Sequence, residues 1–185
     1  MPSPVKWRAR PIIRRLPAEG PVRGAEIGVF KGVLSRYLLT MRPDLTLIMV
    51  DPWMVPDAAG DYAKSQDGYG RRMAHNPEKI YRIAMQLTDD AKDRRIVMRE
   101  TSEEAAKKIE AKSLDFVFID GDHSFHQVRW DLYWWFSKIK TDGWLCGHDR
   151  ARPGVSRALE AFAAESGLSV EQDTGGTWHI RMARP

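Results

Sequence analysis

Short apolar runs that end in polar residues, separated by amphipathic stretches, recur along this chain and leave few folds open. The runs are Gly24–Phe30, Leu45–Val50, Arg95–Arg99, Leu114–Ile119 and Trp144–Gly147. Each is the length of a strand, and each is followed by a segment with helical spacing. After the first run, Val33, Leu34, Tyr37, Leu38 and Met41 line one face of a helix over Gly32–Met41, which Pro43 ends. Further helices are predicted over Pro77–Asp90, Thr101–Ala111, Ser124–Ile139 and Gly154–Glu165. Pro77 suits a first turn, and Thr101 followed by acids reads as a cap. Such alternation predicts βαβ units: a mostly parallel, doubly wound α/β sheet with helices on both faces. The last two runs, Leu168–Gln172 and Thr177–Met182, flank Asp173-Thr174-Gly175-Gly176 and predict a closing hairpin. One antiparallel strand near a sheet edge follows from it.

Composition limits the rest. At 185 residues the chain suits one domain and can bury a core without disulfides. Its one cysteine, Cys146, sits in an apolar run and reads as a buried thiol, which fits a reducing, cytoplasmic setting. No run reaches the roughly 18 apolar residues of a membrane span, and no secretory h-region opens the chain. The net charge of +4 is local: Lys6, Arg8, Arg10, Arg14 and Arg15 crowd the start with no acid among them. Residues 1–20 are therefore set apart as a basic arm, read as a solvated lead-in helix, with residues 21–185 as the domain. A nucleic-acid role for the arm is disfavoured, because no aromatic platform or RNA-binding motif accompanies the charges. Residues 53–76, with Tyr62, Tyr69, Arg71 and Arg72, have weak periodicity and read as a lid or substrate insertion.

In open α/β sheets ligands bind beyond the carboxyl ends of the strands. Those ends carry Glu26-Ile27-Gly28 with Gly32, then Asp51, then Thr101-Ser102, then Asp120-Asp122-His123, then His148-Asp149. The first turn, E-I-G-V-F-K-G, is not G-x-G-x-x-G. Gly28 would let backbone approach a ligand, and Gly32 would let the helix start pack near it. Asp51, two dozen residues on, is placed to accept from both hydroxyls of a ribose. Together they point to a nucleoside-containing cofactor.

E-I-G-V-F-K-G…S, V-D-P-W, S-L-D-F-V-F-I-D-G-D-H-S-F and D-G-W-L-C-G-H-D resemble the class I S-adenosylmethionine (SAM)-dependent methyltransferases. The nearest branch is the small-molecule O-methyltransferases whose fourth strand ends I-D-G-x-H. The resemblance covers residues 24 to about 165 and implies a Rossmann-like, seven-stranded sheet whose last strand is antiparallel. It implies that Glu26 and Gly28 line the methionine end of SAM, in a cofactor-binding turn with Gly32 and Ser35. It places Asp51 on the ribose with Trp53 nearby, Ser102 by the adenine and Asp120 at the methyl-transfer end. Phe30 stands where many relatives have a glycine.

Two mechanisms stay open. In one, Asp120, His148 and Asp149 hold Mg2+ or Mn2+, which lowers the pKa of an acceptor hydroxyl. His123, three residues past Asp120, is then the catalytic base. In the other there is no metal, and His123, alone or with Asp122 or Asp149, deprotonates the acceptor. Asp122 reads as a cap for the next helix, His126 and His75 as solvated, and His179 as structural. Trp130, Tyr133, Trp134 and Trp135 read as sheet-facing core. The expected partner is a small hydroxylated acceptor, sugar-like or phenolic, and a homodimer is compatible with the surface. The competing readings are an RNA or protein methyltransferase, a metal-dependent hydrolase or nucleotide-binding protein, and a non-catalytic SAM-binding protein.

Overall fold

The computed structural model describes residues 4–54 and 76–182. Most of the segment read as a lid, with Tyr62, Tyr69, Arg71, Arg72 and His75, lies outside the described residues. The strands are β1 (Val22–Ile27), β2 (Leu45–Val50), β3 (Arg95–Met98), β4 (Leu114–Ile119), β5 (Ile139–Gly147), β6 (Glu171–Gln172) and β7 (Trp178–Arg181). They form one seven-stranded sheet in the order β3-β2-β1-β4-β5-β7-β6. The first five are parallel, and β7 runs antiparallel to both β5 and β6. The doubly wound fold with one reversed strand is thus present.

The helices are α1 (Pro4–Ile13), α2 (Val33–Met41), α3 (Pro77–Leu87), α4 (Ser102–Lys107), α5 (Phe125–Phe136) and α6 (Pro153–Ser166). They cover both faces. Ala105, Val128, Leu132, Trp135, Val155 and Leu159 of α4–α6 pack on one face with Ala25, Ile48, Val117 and Leu145. Ala9 and Ile12 of α1, Leu34 and Leu38 of α2, and Ile80 and Ala84 of α3 pack on the other with Leu47, Met49, Phe116 and Phe118. Successive strand residues point to opposite faces, so a strand buried on both reads as an unbroken apolar run. Phe116, Val117 and Phe118 have no exposed surface, and each such side chain contributes about 1.5–3 kcal/mol by leaving water. Gly24 makes room for Phe116: a Cβ there would lie 2.1 Å from the ring.

Several boundaries differ from those read in the sequence. β1 ends at Ile27 rather than Phe30, because Gly28 (φ 88°) and Phe30 (φ 52°) leave extended geometry. β5 starts at Ile139 and absorbs the residues read as a turn, through a register shift opposite Leu114–Phe116. α3 gives way after Leu87 to a 3₁₀ segment, Asp89–Arg94, and α4 stops at Lys107. The starts agree better. Asn76 caps α3 with Pro77 in its first turn, Thr101 and Glu104 form a reciprocal capping box on α4, and Ser124 caps α5. Asp122 accepts the N–H of Ser124 at 2.5 Å, so it shapes the turn before the helix instead of capping it.

Two larger differences concern packing. The basic lead-in is not a solvated arm: Ala9 and Ile12 are buried, and Arg14 and Arg15 ion-pair with Asp173 of the β6–β7 connection. Of the four α5 aromatics read as core only Trp135 is fully buried, whereas Trp130 and Tyr133 are 54% and 66% exposed. Cys146 is buried, and burial pushes its thiol up to about 12. Among the described residues no helix is long and apolar enough to cross a membrane.

Candidate active site

Parallel pairing brings the carboxyl ends of β2, β1, β4 and β5 side by side. Asp51 follows β2 and is buried. Its two oxygens each accept one backbone N–H at 2.8 Å, from Phe30 and from Trp53. Both donors have positive φ, 52° and 40°, an uncommon conformation for large side chains. The Trp53 indole N–H closes the loop by donating to the Phe30 carbonyl at 2.8 Å. Its ring is buried edge-on to Tyr81 of α3, with 5.1 Å between centroids. Burial raises the Asp51 carboxyl above its ordinary range, opposed by the N–H groups of Phe30, Trp53 and Val29.

Glu26 is buried in β1 and accepts the hydroxyl of Ser35, itself fully buried on α2, at 2.5 Å. Burial pushes the Glu26 carboxyl up to about 8, against that hydrogen bond. Ser35 is therefore joined to the end of β1 through Glu26. The two glycines answer to protein neighbours. A Cβ on Gly28 would stand 2.5 Å from the Asp120 carbonyl oxygen, and one on Gly32 would stand 3.2 Å from Cα of Ala84. Gly28 lets β1 and β4 meet at the crevice, and Gly32 lets α2 start against α3. Ser102 accepts the Trp135 indole N–H at 2.8 Å and bonds to the buried Asp131. This anchors it to α5.

At the ends of β4 and β5 the predicted residues converge. His123 Nε2 lies 2.7 Å from Asp149 Oδ2 and 4.0 Å from Asp120 Oδ1. His148 Nδ1 lies 3.3 Å from Asp149 Oδ2 and 3.6 Å from Asp120 Oδ1. Donor atoms of Asp120, His123 and Asp149 all fall within 4.8 Å of one another. Asp149 is held at φ 56°, local strain of the kind that gathers at functional sites. Burial opposes charge on both members of the His123–Asp149 pair, and mutual attraction outweighs it. The carboxylates of Asp120 and Asp149 push His123 up to about 10, and the two histidines hold Asp149 well below the carboxylate range.

His148 is aimed by its other nitrogen. Nε2 bonds the Gly175 carbonyl at 3.0 Å, and a carbonyl can only accept, so Nε2 carries the proton. Nδ1 is buried without a hydrogen-bond partner among the described residues and faces the two carboxylates. A histidine that donates through one nitrogen and keeps the lone pair of the other for a cation, here beside two carboxylates, is arranged as metal-ligating histidines are. The donor set of carboxylate oxygens and imidazole nitrogen suits a divalent cation.

One residue at this site lies outside the sequence reading. Arg8 of α1 donates through Nη1 to Asp120 Oδ2 at 2.7 Å, across 112 residues. A single arginine within a basic run carries no periodic or motif signal, and only the packing of α1 places it. His126 is exposed and His179 is buried in β7 beside Arg15 and Asp173, both as read from the sequence.

Comparison with known proteins identifies the family and the fold. The family described as "Methyltransferase domain" matches residues 25–150. An uncharacterized protein of Sinorhizobium fredii, y4gI, is 31% identical over 100 residues; the match covers 54% of this chain and a tenth (10%) of that protein's length. The calicheamicin methyltransferase CalS11 superposes with a TM-score of 0.72 at 10% identity, covering 95% of this chain and 77% of that one. The O-methyltransferase NovP superposes at 0.67 and 14% identity, covering 97% and 78%. An O-methyltransferase from Bacillus cereus, solved in complex with SAH (S-adenosylhomocysteine), superposes at 0.64 and 17% identity, covering 98% and 81%. At such identities the structural likeness speaks for the fold, while the family match spans most of the chain and includes every strand end described above. The chain belongs to the methyltransferase-domain family.

Proposed function

We propose that this chain is a class I, SAM-dependent methyltransferase, O-directed and acting on a small hydroxylated acceptor, sugar-like or phenolic. The observation that carries the reading is the convergence of His123 and Asp149, with Asp120 and His148 beside them, at the ends of β4 and β5. A sulfonium donor is already activated, so the protein's work is to align the acceptor oxygen and accept its proton. Asp51 supports the cofactor end: a carboxylate offers about four acceptor sites, of which Phe30 and Trp53 take two at 2.8 Å and the Val29 N–H draws on the same carboxylate. A ribose diol fits the remainder. Glu26 and the Gly28 turn stand at the methionine end, as the family resemblance implies.

His123 takes the acceptor proton, and Asp149 fixes the imidazole and stabilises the imidazolium that forms. The pairing strongly favours protonated His123. The residue therefore acts as a base when the carboxylates beside it are engaged elsewhere. Asp120, His148 and Asp149 would hold a divalent cation, with His123 at its edge. When bound, such an ion lowers the pKa of the acceptor hydroxyl and engages those carboxylates. The metallohydrolase reading of the same cluster loses its ground once the family is established.

The test is methyl transfer from labelled SAM to a panel of catechols, phenols and hydroxylated sugars, with and without Mg2+ or Mn2+. The reading predicts a methyl ether product that wild type makes and His123→Ala does not. Transfer only to nitrogen or to RNA, or transfer to oxygen that survives in His123→Ala, contradicts it.

A further inference from the structure

The ion pair between Arg8 and Asp120 joins the N-terminal helix to the methyl-transfer end of the sheet. α1 is not free to drift: Ala9 and Ile12 are buried, and Arg15 is tied to Asp173 at 2.8 Å. Arg8 therefore reaches the site from a fixed base, and its guanidinium takes Oδ2 of Asp120 at 2.7 Å. Oδ1 is left to face His148 and His123. The acid is thereby divided, with one oxygen on an internal cation and the other turned to the cluster that includes the unbonded Nδ1 of His148.

We propose that Arg8 is a positioning residue that competes with the divalent cation for Asp120. This rests on the metal reading of the cluster given above. Arg8 confines Asp120 to one ligand oxygen and keeps a positive charge beside the ion, so the resting protein binds metal weakly. Like charges at such separations repel appreciably even with strong screening, and a doubly charged ion feels twice the effect. Binding of the ion is then favoured when an acceptor oxygen adds negative charge to the same site. The N-terminal helix becomes part of the catalytic apparatus through a residue that need not touch SAM.

The experiment is Mn2+ binding to wild type, Arg8→Gln, Arg8→Ala and Arg8→Lys, read from the free-ion paramagnetic resonance signal with SAH present at a saturating concentration. Removing the competing charge should tighten Mn2+ binding by about tenfold or more in both neutral variants. Arg8→Lys, which keeps the charge, should stay near wild type. Affinity for SAH should be the same in every folded variant, which separates failure of this proposal from failure of the cofactor assignment. A merely structural role for Arg8 predicts unchanged or weaker Mn2+ binding, and either result overturns the proposal. So does the absence of Mn2+ binding in wild type and neutral variants alike.

Discussion

His123 and Asp149, at the ends of neighbouring strands, meet at 2.7 Å although 26 positions separate them in the chain. Removing the imidazole should leave the crevice beside β1 and β2 intact. His123→Ala is expected to bind SAH as wild type does and to turn over about 10²-fold more slowly. Asp149→Asn should also slow turnover, since it removes the anion that stabilises the imidazolium. Steady-state kinetics beside calorimetry separates the effects. A loss of SAH affinity in His123→Ala matching the loss of rate would assign the residue to the cofactor.

Asp51 holds two backbone N–H groups that sit in left-handed geometry. Asp51→Ala therefore has two expected consequences. SAH affinity should fall by at least about tenfold, since each charged hydrogen bond contributes roughly 1.5–3 kcal/mol. Thermal stability should fall as well, because two donors near the crevice lose their acceptor. Unchanged SAH affinity in a folded variant would remove the ribose from Asp51.

Glu26 gives a proton signature. Its carboxyl is pushed up to about 8 by burial, so most of it is protonated at pH 7 in the free protein. If Glu26 stands at the methionine end of the cofactor, as proposed, the ammonium group there favours its ionised form. Binding of SAH at pH 7 should then release protons, and affinity should fall by up to about tenfold per unit as pH drops below 8. Calorimetry in buffers of different ionisation enthalpy reads the release directly. Buffer-independent heats, or an unchanged release in Glu26→Gln, would show that another group carries the linkage.

Asp131 makes a prediction about stability alone. It is buried on α5, bonded by Gln127 at 3.0 Å and by Ser102, and burial raises its pKa from 3.8 to about 7. The folded form thus binds more protons than the unfolded form between those values. The stability that protonated Asp131 contributes is complete below about pH 4 and is lost as pH rises through about 7, a cost of a few kcal/mol. Asp131→Asn should remove that slope. Urea denaturation at pH 5 and pH 8 compares the two proteins, and parallel pH dependences would contradict the assignment.

Much of the fold is legible in the sequence because strands buried on both faces must be apolar throughout, as Leu114–Ile119 shows. The strand-end acids and histidines are legible for the same reason: polarity begins abruptly where each run stops. Conformations set by distant partners are not. The early end of β1 follows from φ values at Gly28 and Phe30 that serve Asp51 and Asp120. The extension of β5 back to Ile139 depends on the pairing of Ile139 with Leu114, across a register shift that takes in residues 140–143. The partners that orient Ser35 and Ser102, a buried acid and an indole from other elements, are likewise set by packing. Arg8 is hidden altogether, since its role exists only once α1 is packed.

The most direct measurement is titration of wild type with SAH, beside Asp51→Ala. The account predicts micromolar binding that the substitution weakens by at least about tenfold. Folded wild-type protein that takes up no SAH would contradict the cofactor site on which the rest depends.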